Sequence, residues 1–110
     1  MKDESPFAFA GIWDEWQRDG HSIVSCAIIT TRANELLASI HDRMPVILRA
    51  DAHDMWLKDE PKSVRNLLTP FPASEMTSHA VSYDVNHPKM DDEHLVRRVE
   101  PNLGVTLNLF

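Results

Sequence analysis

The pattern of hydrophobic and polar residues near the start of the chain predicts two strands joined by a tight turn. The stretch PFAFAGIW (residues 6–13) is apolar and aromatic and contains a glycine, which favours a buried strand over a helix. The stretch SIVSCAIIT (residues 22–30) is rich in β-branched residues and too short and uniform for an amphipathic helix. Gly20 lies between the two stretches and marks a turn, so a β-hairpin is predicted.

A helix is predicted next, over TRANELLASI (residues 31–40). Its apolar residues recur at the spacing of one helix face: Ala33, Leu36, Leu37 and Ile40. Thr31 is the predicted N-cap of this helix. Pro45 disfavours helix at the residue before it, so the apolar run PVIL that it opens is predicted as another strand.

Short helices and one further strand complete the pattern. DAHDMWLK (residues 51–58) and PKSVRNLL (residues 61–68) are typical of short helices, the second with Pro61 in its first turn. EMTSHAVSYDVN (residues 75–86) alternates between two faces and is predicted as a strand. The tail, residues 87–110, is harder to interpret, and its end LGVTLNLF is either a last strand or a segment outside the fold.

The composition is that of a single globular domain over residues 1–110, with 43% apolar and 25% charged residues. No apolar run reaches the ~20 residues of a membrane helix. The start MKDESPF also lacks the apolar stretch of a signal peptide, so we expect a cytoplasmic protein that does not bind membranes. The single cysteine, Cys26, excludes an intramolecular disulfide and is predicted to be buried in the core. The three tryptophans (Trp13, Trp16 and Trp56) are likewise predicted as core residues rather than base-stacking surfaces.

Candidate chemistry lies in SIHDRMPVIL (residues 39–48), at the boundary between the predicted helix and the strand that follows. His41, Asp42 and Arg43 either cap the helix and turn the chain or form part of a site. The net charge of −6 argues against binding nucleic acid through a general basic surface. Any contact with nucleic acid is therefore predicted to be local.

Several stretches, taken in order, resemble the family of SOS response-associated peptidases, also called abasic site processing proteins: FAFAGIWDEW, AIITTRAN, IHDRMPVIL, WL and HAVSYDVN. The resemblance covers residues 6–86. It implies an α+β fold with short helices around a mixed, largely antiparallel, barrel-like sheet, of which this chain is the carboxy-terminal half. It also implies a partner, single-stranded DNA that carries an abasic site, and no cofactor. Family members crosslink to the abasic sugar through a cysteine that follows the initiator methionine, and are also classed as autoproteolytic peptidases.

The resemblance assigns a proton-transfer role to His41, because imidazole exchanges protons near neutral pH. Arg43 carries a planar donor fork that suits phosphate, although a simple ion pair with Asp42 or another carboxylate is an equal alternative. Thr30 offers a hydroxyl group to the same edge. His79 precedes VSYDVN, on the stretch that the family places near the site, and is predicted to contact DNA.

The acidic member of the site is either Asp14 or Glu15. Consecutive strand residues face opposite ways, so only one of the two carboxylates enters the site. The motif AGIW is the better anchor for the comparison, and it favours Asp14. An aspartate is one methylene shorter than the glutamate usual in the family.

The chain departs from the family at position 2, where Lys2 stands in place of the cysteine nucleophile. We therefore expect a truncated or split form of the family domain. A half domain exposes sheet edges and apolar surface, so we expect it to self-associate or to pair with the missing amino-terminal half. No metal site is predicted, because the histidines lack the close spacing of zinc ligands.

The sequence alone leaves two functions open. The first is an abasic-site-processing protein that lacks its amino-terminal nucleophile. The alternative is a non-catalytic DNA-binding or protein-interaction module that keeps the fold.

Overall fold

The computed structural model describes residues 1–100 and has an α+β fold, as predicted. The strands are β1 (Ala8–Phe9), β2 (Gly11–Arg18), β3 (His21–Ile28), β4 (Thr30–Arg32), β5 (Arg43–Pro45) and β6 (Ile47–Leu48). The α-helices are α1 (His53–Lys58) and α2 (Pro61–Val64), and 3-10 turns lie at Ala50–Ala52, Arg65–Leu67, Ala73–Glu75, Tyr83–Asn86 and Glu93–Val96. The described strands form three antiparallel pairs, β1–β6, β2–β3 and β4–β5, and not a closed barrel. None of the helices within residues 1–100 is both long enough and apolar enough to cross a membrane.

The predicted hairpin is present as β2 and β3, and it begins later and extends further than the apolar pattern suggested. Its register runs from Gly11 opposite Ile28 to Arg18 opposite His21. The two turn residues, Asp19 and Gly20, have φ angles of 52° and 77°. A two-residue hairpin turn of this left-handed kind matches the twist of the strands, and Asp-Gly is among the sequences that adopt it most readily.

The hairpin residues are exposed, which corrects the predicted positions of three side chains. Cys26 is exposed, and Trp13 and Trp16 keep 72% and 52% of their surface accessible, so the prediction that they lie in the core is wrong. The apolar pattern was read as burial, but no second layer covers either face of the hairpin within residues 1–76. Trp56 meets the prediction, because it packs against the core.

The core of residues 1–76 forms where the three strand pairs meet. Ala10, Val46 and Leu48 are its buried centre, and four partly buried side chains pack against them: Ile29, Trp56, Leu67 and Leu68. Three backbone hydrogen bonds close a ring at this point. The N–H of Ala10 donates to the carbonyl of Val46 (2.8 Å), that of Val46 to Ile29 (2.9 Å), and that of Ile29 to Ala10 (2.9 Å).

The predicted helix over residues 31–40 is replaced by a strand and a set of turns. Thr31 lies within β4, so its predicted role as N-cap is wrong. The capping residue is Asn34, whose Oδ1 accepts from the N–H of Leu37 (3.1 Å), while its Nδ2 donates to the carbonyl of Phe71 (2.7 Å). The chain then makes helix-like turns, with the N–H of His41 donating to the carbonyl of Leu37 (2.9 Å). The apolar side of this segment does face inward, as its spacing indicated.

The two short helices follow the sequence prediction. Helix α1 lies within the stretch 51–58, and α2 begins at Pro61, which occupies the first turn. Trp56 of α1 donates from Nε1 to the carbonyl of Gly11 (3.1 Å). This bond ties the helix to the base of the hairpin.

Backbone contacts divide the chain into two compact units at Met76, and the second unit begins at Thr77. The strand predicted over residues 75–86 is wrong, because Tyr83–Asn86 forms a 3-10 turn and no described residue of the stretch is in a strand. The hydroxyl of Ser82 accepts from the N–H of Asp84 (3.0 Å). Such a local bond competes with strand pairing. The stretch LGVTLNLF lies outside the described residues.

His94 joins two turns of the second unit. Its Nδ1 lies 3.1 Å from a carboxylate oxygen of Asp92, and its Nε2 lies 3.2 Å from one of Asp84. Hydrogen bonds to Asp92 and then Asp84 raise the pKa of His94, because the charged ring can donate from both nitrogens. His94 therefore connects the two turns through its side chain. Within residues 1–100, no group of three or more His, Cys, Asp or Glu residues is arranged to hold a metal ion.

We predict that Asn34→Ala lowers the free energy of unfolding by about 1–3 kcal/mol, because it leaves the N–H of Leu37 and the carbonyl of Phe71 without their partner. Urea denaturation followed by tryptophan fluorescence measures the change. The exposed Asn66→Ala is the control and should shift stability by less than about 0.5 kcal/mol. Equal effects of the two substitutions would contradict the capping role of Asn34.

Candidate functional site

Three of the predicted site residues come together on the β4–β5 pair. Nη2 of Arg43 donates to both the carbonyl (2.9 Å) and the hydroxyl (3.1 Å) of Thr30. The backbone N–H of Arg43 donates to Nδ1 of His41 (3.0 Å). The pairing of the strands, with Thr30 opposite Pro45, sets this arrangement. A hydroxyl, a guanidinium and an imidazole are therefore presented at one exposed edge.

His41 has a second partner at the same ring nitrogen. Its Nδ1 lies 3.1 Å from Oδ1 of Asp42, and both side chains are largely exposed. One nitrogen cannot accept from Arg43 and donate to Asp42 at once. The neutral ring therefore suits the bond from the Arg43 backbone, and the protonated ring suits the ion pair with Asp42. Asp42 thus contacts His41 and not Arg43, a role that sequence reasoning missed although the two residues are neighbours.

The two candidate carboxylates lie on the hairpin, on opposite faces. Asp14 stands opposite Ser25, and Glu15 stands opposite Val24. Oδ1 of Asp14 accepts from the backbone N–H of Glu15 (2.8 Å). The hydrogen bonds described for both side chains stay within the hairpin, so neither carboxylate is joined to the cluster at His41.

Glu15 is held in its ionised form. Its Oε1 accepts from the hydroxyl of Ser22 and from Nε2 of Gln17 (3.2 Å). These bonds, that from Ser22 first, lower the pKa of Glu15. A lowered pKa makes this carboxylate a weaker base and a poorer source of protons near neutral pH, which disfavours Glu15 for proton transfer.

His79 belongs to the second unit, where its ring is engaged. Its Nε2 lies 2.9 Å from the carbonyl of Val96. Because a carbonyl can only accept, Nε2 carries the proton in this bond. The bond uses a nitrogen that the predicted DNA contact would otherwise offer, so any such contact by His79 would have to use Nδ1 or break the bond to Val96.

The fold and the cluster describe an α+β domain of antiparallel strand pairs that presents donors and an imidazole at a strand edge. Comparison with known proteins identifies its family. The family model described as SOS response associated peptidase (SRAP) matches residues 1–88. The chain therefore belongs to the SRAP family, which confirms the resemblance found in its motifs.

Individual relatives give the same result. Abasic site processing protein YoqW of Bacillus subtilis (strain 168) is 40% identical over 100 residues, which cover 87% of this chain and 45% of YoqW. Abasic site processing protein HMCES of Gallus gallus is 35% identical over 100 residues, which cover 87% of this chain and 29% of that protein. The chain thus spans less than half the length of these curated relatives.

A solved structure supports the fold. The X-ray crystal structure of a protein from Bacteroides thetaiotaomicron matches with a TM-score of 0.80 at 30% sequence identity. The match covers 90% of this chain and 46% of the other. The fold described above is therefore part of a larger structure in that protein.

The geometry of His41 makes a testable prediction about its protons. We expect neutral His41 to carry its proton on Nε2, because Nδ1 accepts from the backbone of Arg43. Long-range ¹H–¹⁵N NMR spectra at alkaline pH distinguish the two tautomers through the chemical shifts of the ring nitrogens. A predominant Nδ1–H form would contradict the described geometry. The ring nitrogens of the exposed His21 serve as the reference for these chemical shifts.

Proposed function

We propose that this chain is the carboxy-terminal, DNA-contacting part of an abasic-site-processing protein. Its substrate class is single-stranded DNA that carries an abasic site. The observation that carries the proposal is the convergence of Thr30, His41 and Arg43 at one exposed edge of a chain that belongs to the SRAP family. The names of YoqW and HMCES as abasic site processing proteins support the same reaction class.

Arg43 and Thr30 are assigned to the DNA backbone in this proposal. The bonds to Thr30 use Nη2 of Arg43 and hold the guanidinium in place, while the side chain remains exposed. A guanidinium fixed in this way loses less conformational entropy when it binds phosphate than a free arginine side chain does. His79 is proposed as a further contact.

His41 is assigned to proton transfer at the abasic sugar. Its Nδ1 is engaged either by the backbone N–H of Arg43 or by Asp42, which leaves Nε2 as the nitrogen that meets a substrate. Asp14 is the proposed acidic partner, with Glu15 as the second choice because of its lowered pKa. Both carboxylates lie on the hairpin, where the hydrogen bonds described for them are made within the hairpin itself.

A non-catalytic module is the second candidate function, and the position of the single cysteine favours it. Ring formation with an abasic aldehyde, the chemistry proposed for the family, needs an amine and a thiol on one terminal residue. Cys26 lies in the middle of β3, so its own nitrogen is a peptide amide. The crosslinking and peptidase activities are accordingly proposed for a protein that also contains the amino-terminal part of the domain.

We predict that DNA binding by the 110-residue chain prefers single strands and depends on Arg43. Arg43→Ala should weaken binding to an oligonucleotide with one abasic site by about tenfold, the effect of losing a charge-assisted bond worth roughly 1.5 kcal/mol. It should also reduce the dependence of log K on log salt concentration by about 0.7, the value for one phosphate contact on a single strand. Fluorescence anisotropy at several salt concentrations measures both quantities.

The control for this experiment is Arg65→Ala, which removes the same charge from an exposed position in the first unit. It should leave affinity and salt slope close to those of the unmodified chain. Equal losses from the two variants would mean that only the overall charge matters. Tighter binding to duplex DNA than to single strands would also contradict the proposal.

A separate prediction concerns covalent chemistry. A lysine amine can attack the abasic aldehyde to form an imine with loss of water, and borohydride then reduces that imine to a stable bond. We therefore expect an adduct on a denaturing gel after borohydride treatment and none that survives heating without it. Cys26→Ser should behave as the unmodified chain does. A heat-stable adduct that disappears in Cys26→Ser would show that the exposed thiol is a crosslinking group.

A further inference from the structure

Two arginines lie directly opposite each other on the β4–β5 pair. The register places Arg32, the last residue of β4, opposite Arg43, the first residue of β5. Direct partners across an antiparallel pair share a face and have Cβ atoms about 4.5–5.5 Å apart. The backbone N–H of Ala33 donates to the carbonyl of Asp42 (3.0 Å). The pairing therefore continues just beyond both arginines and holds their backbones in register.

These two cations have no carboxylate partner among residues 1–100. Three other arginines each form an ion pair with a carboxylate: Arg18 with Asp19, Arg49 with Glu75 and Arg97 with Glu93. Arg32 is exposed and forms no ion pair within the described part of the chain, and the guanidinium of Arg43 bonds to the uncharged Thr30. Asp42, which precedes Arg43, contacts His41 instead. The strand pair therefore presents two uncompensated positive charges side by side.

This arrangement is unfavourable for the fold taken alone. Like charges directly opposite each other on adjacent strands destabilise the pairing. The chain as a whole carries a net charge of −6, so its average composition does not account for two neighbouring cations. Breaks of a local stability rule are expected at functional sites. A bound anion offsets the repulsion through charge-assisted hydrogen bonds to both side chains.

The anchored position of Arg43 indicates which anion fits. Its Nη2 bonds to the carbonyl (2.9 Å) and hydroxyl (3.1 Å) of Thr30, which lies two residues before Arg32 on the same strand. Two residues along a strand span roughly 7 Å at about 3.3 Å per residue. The Arg43 guanidinium is therefore offset along β4 from the backbone of Arg32. An offset of this kind suits charges that follow one another along an extended polymer better than a single compact anion.

We propose that Arg32 is a second phosphate-binding residue, and that Arg32 and Arg43, the arginine pair, bind two successive phosphates of single-stranded DNA. The inference rests on the proposed function for the identity of the polymer and deepens it by adding a residue to the same edge. Contacts to phosphate fix the position of a strand without reading its bases, so the arginine pair binds without sequence preference.

An acidic protein segment is the main alternative ligand for two arginines. Its carboxylates lie on flexible side chains whose spacing varies with sequence and conformation. The phosphates of a nucleic acid strand are part of the backbone and recur at a regular spacing. Two cations held in register by a strand pair match the regular spacing, and Thr30 and His41 at the same edge belong to the proposed DNA site.

The test uses fluorescently labelled oligothymidylate without an abasic site, so that it measures phosphate binding alone. Anisotropy at several salt concentrations gives the affinity and the slope of log K against log salt concentration. Arg32→Ala should weaken binding about tenfold, as for the loss of one charge-assisted hydrogen bond. It should reduce the slope by about 0.7, and the double variant Arg32→Ala/Arg43→Ala by about 1.4, because each phosphate contact on a single strand contributes about 0.7.

Two further variants serve as controls. Arg65→Ala removes the same charge from an exposed position outside the β4–β5 pair and should leave both quantities unchanged. Arg32→Lys keeps the charge but not the planar fork, so it should retain the slope and lose less affinity than Arg32→Ala. Urea denaturation of Arg32→Ala should show no loss of stability, because the substitution removes a like-charge pair. A fall in stability together with affinity would assign Arg32 a structural role instead.

Three binding results would also overturn the inference: an Arg32→Ala variant that binds as the unmodified chain does, a double variant with the salt slope of Arg43→Ala alone, or poly-glutamate that competes as well as oligothymidylate at equal charge concentration. The first of these would leave the proposed function in place, since that requires Arg43. Binding of oligothymidylate through both arginines, without preference for a strand that carries an abasic site, would refute the proposed function and leave the arginine pair in place.

Discussion

The ring of three backbone hydrogen bonds among Ala10, Ile29 and Val46 holds the first unit together. Each of these residues lies between two strands: Ala10 between β1 and β2, Ile29 between β3 and β4, and Val46 between β5 and β6. Ala10 and Val46 are fully buried, where an unpaired backbone group would cost about as much as a lost hydrogen bond. The ring satisfies three N–H groups and three carbonyls at the point where the chain passes from one strand pair to the next.

The candidate site depends on this junction. Thr30 directly follows Ile29, and Arg43 begins the strand that ends immediately before Val46. The ring therefore fixes both ends of the contact between Arg43 and Thr30, and His41 is held in turn by the backbone of Arg43. The side chains of the cluster are exposed, yet their positions are set by buried backbone bonds.

The sequence predicted those parts of the fold that depend on local chemistry. The turn at Gly20, the start of α2 at Pro61 and the extended backbone around Pro45 follow from backbone preferences that do not need distant partners. The convergence of Thr30, His41 and Arg43 was also predictable, because they lie at the ends of neighbouring elements.

Other features depended on distant contacts and could not be predicted in the same way. Asn34 caps its turn because its amide also reaches Phe71, which is 37 residues away in the chain. The alternating stretch 75–86 has no strand to pair with among the described residues, and Ser82 bonds locally instead. Trp13 and Cys26 have the apolar neighbours of core residues, but a pattern of hydrophobicity shows only that a face is suited to burial. Whether that face is covered depends on polypeptide that the pattern does not describe.

The hairpin and the candidate site are connected through the same junction. The base pair of the hairpin, Gly11 with Ile28, is adjacent to Ala10 and Ile29, and Thr30 lies two residues beyond Ile28. At about 3.3 Å per residue, that separation along the chain is roughly 7 Å. A segment that covers the base of the hairpin therefore lies close enough to Thr30 and Arg43 to contribute side chains to the same site.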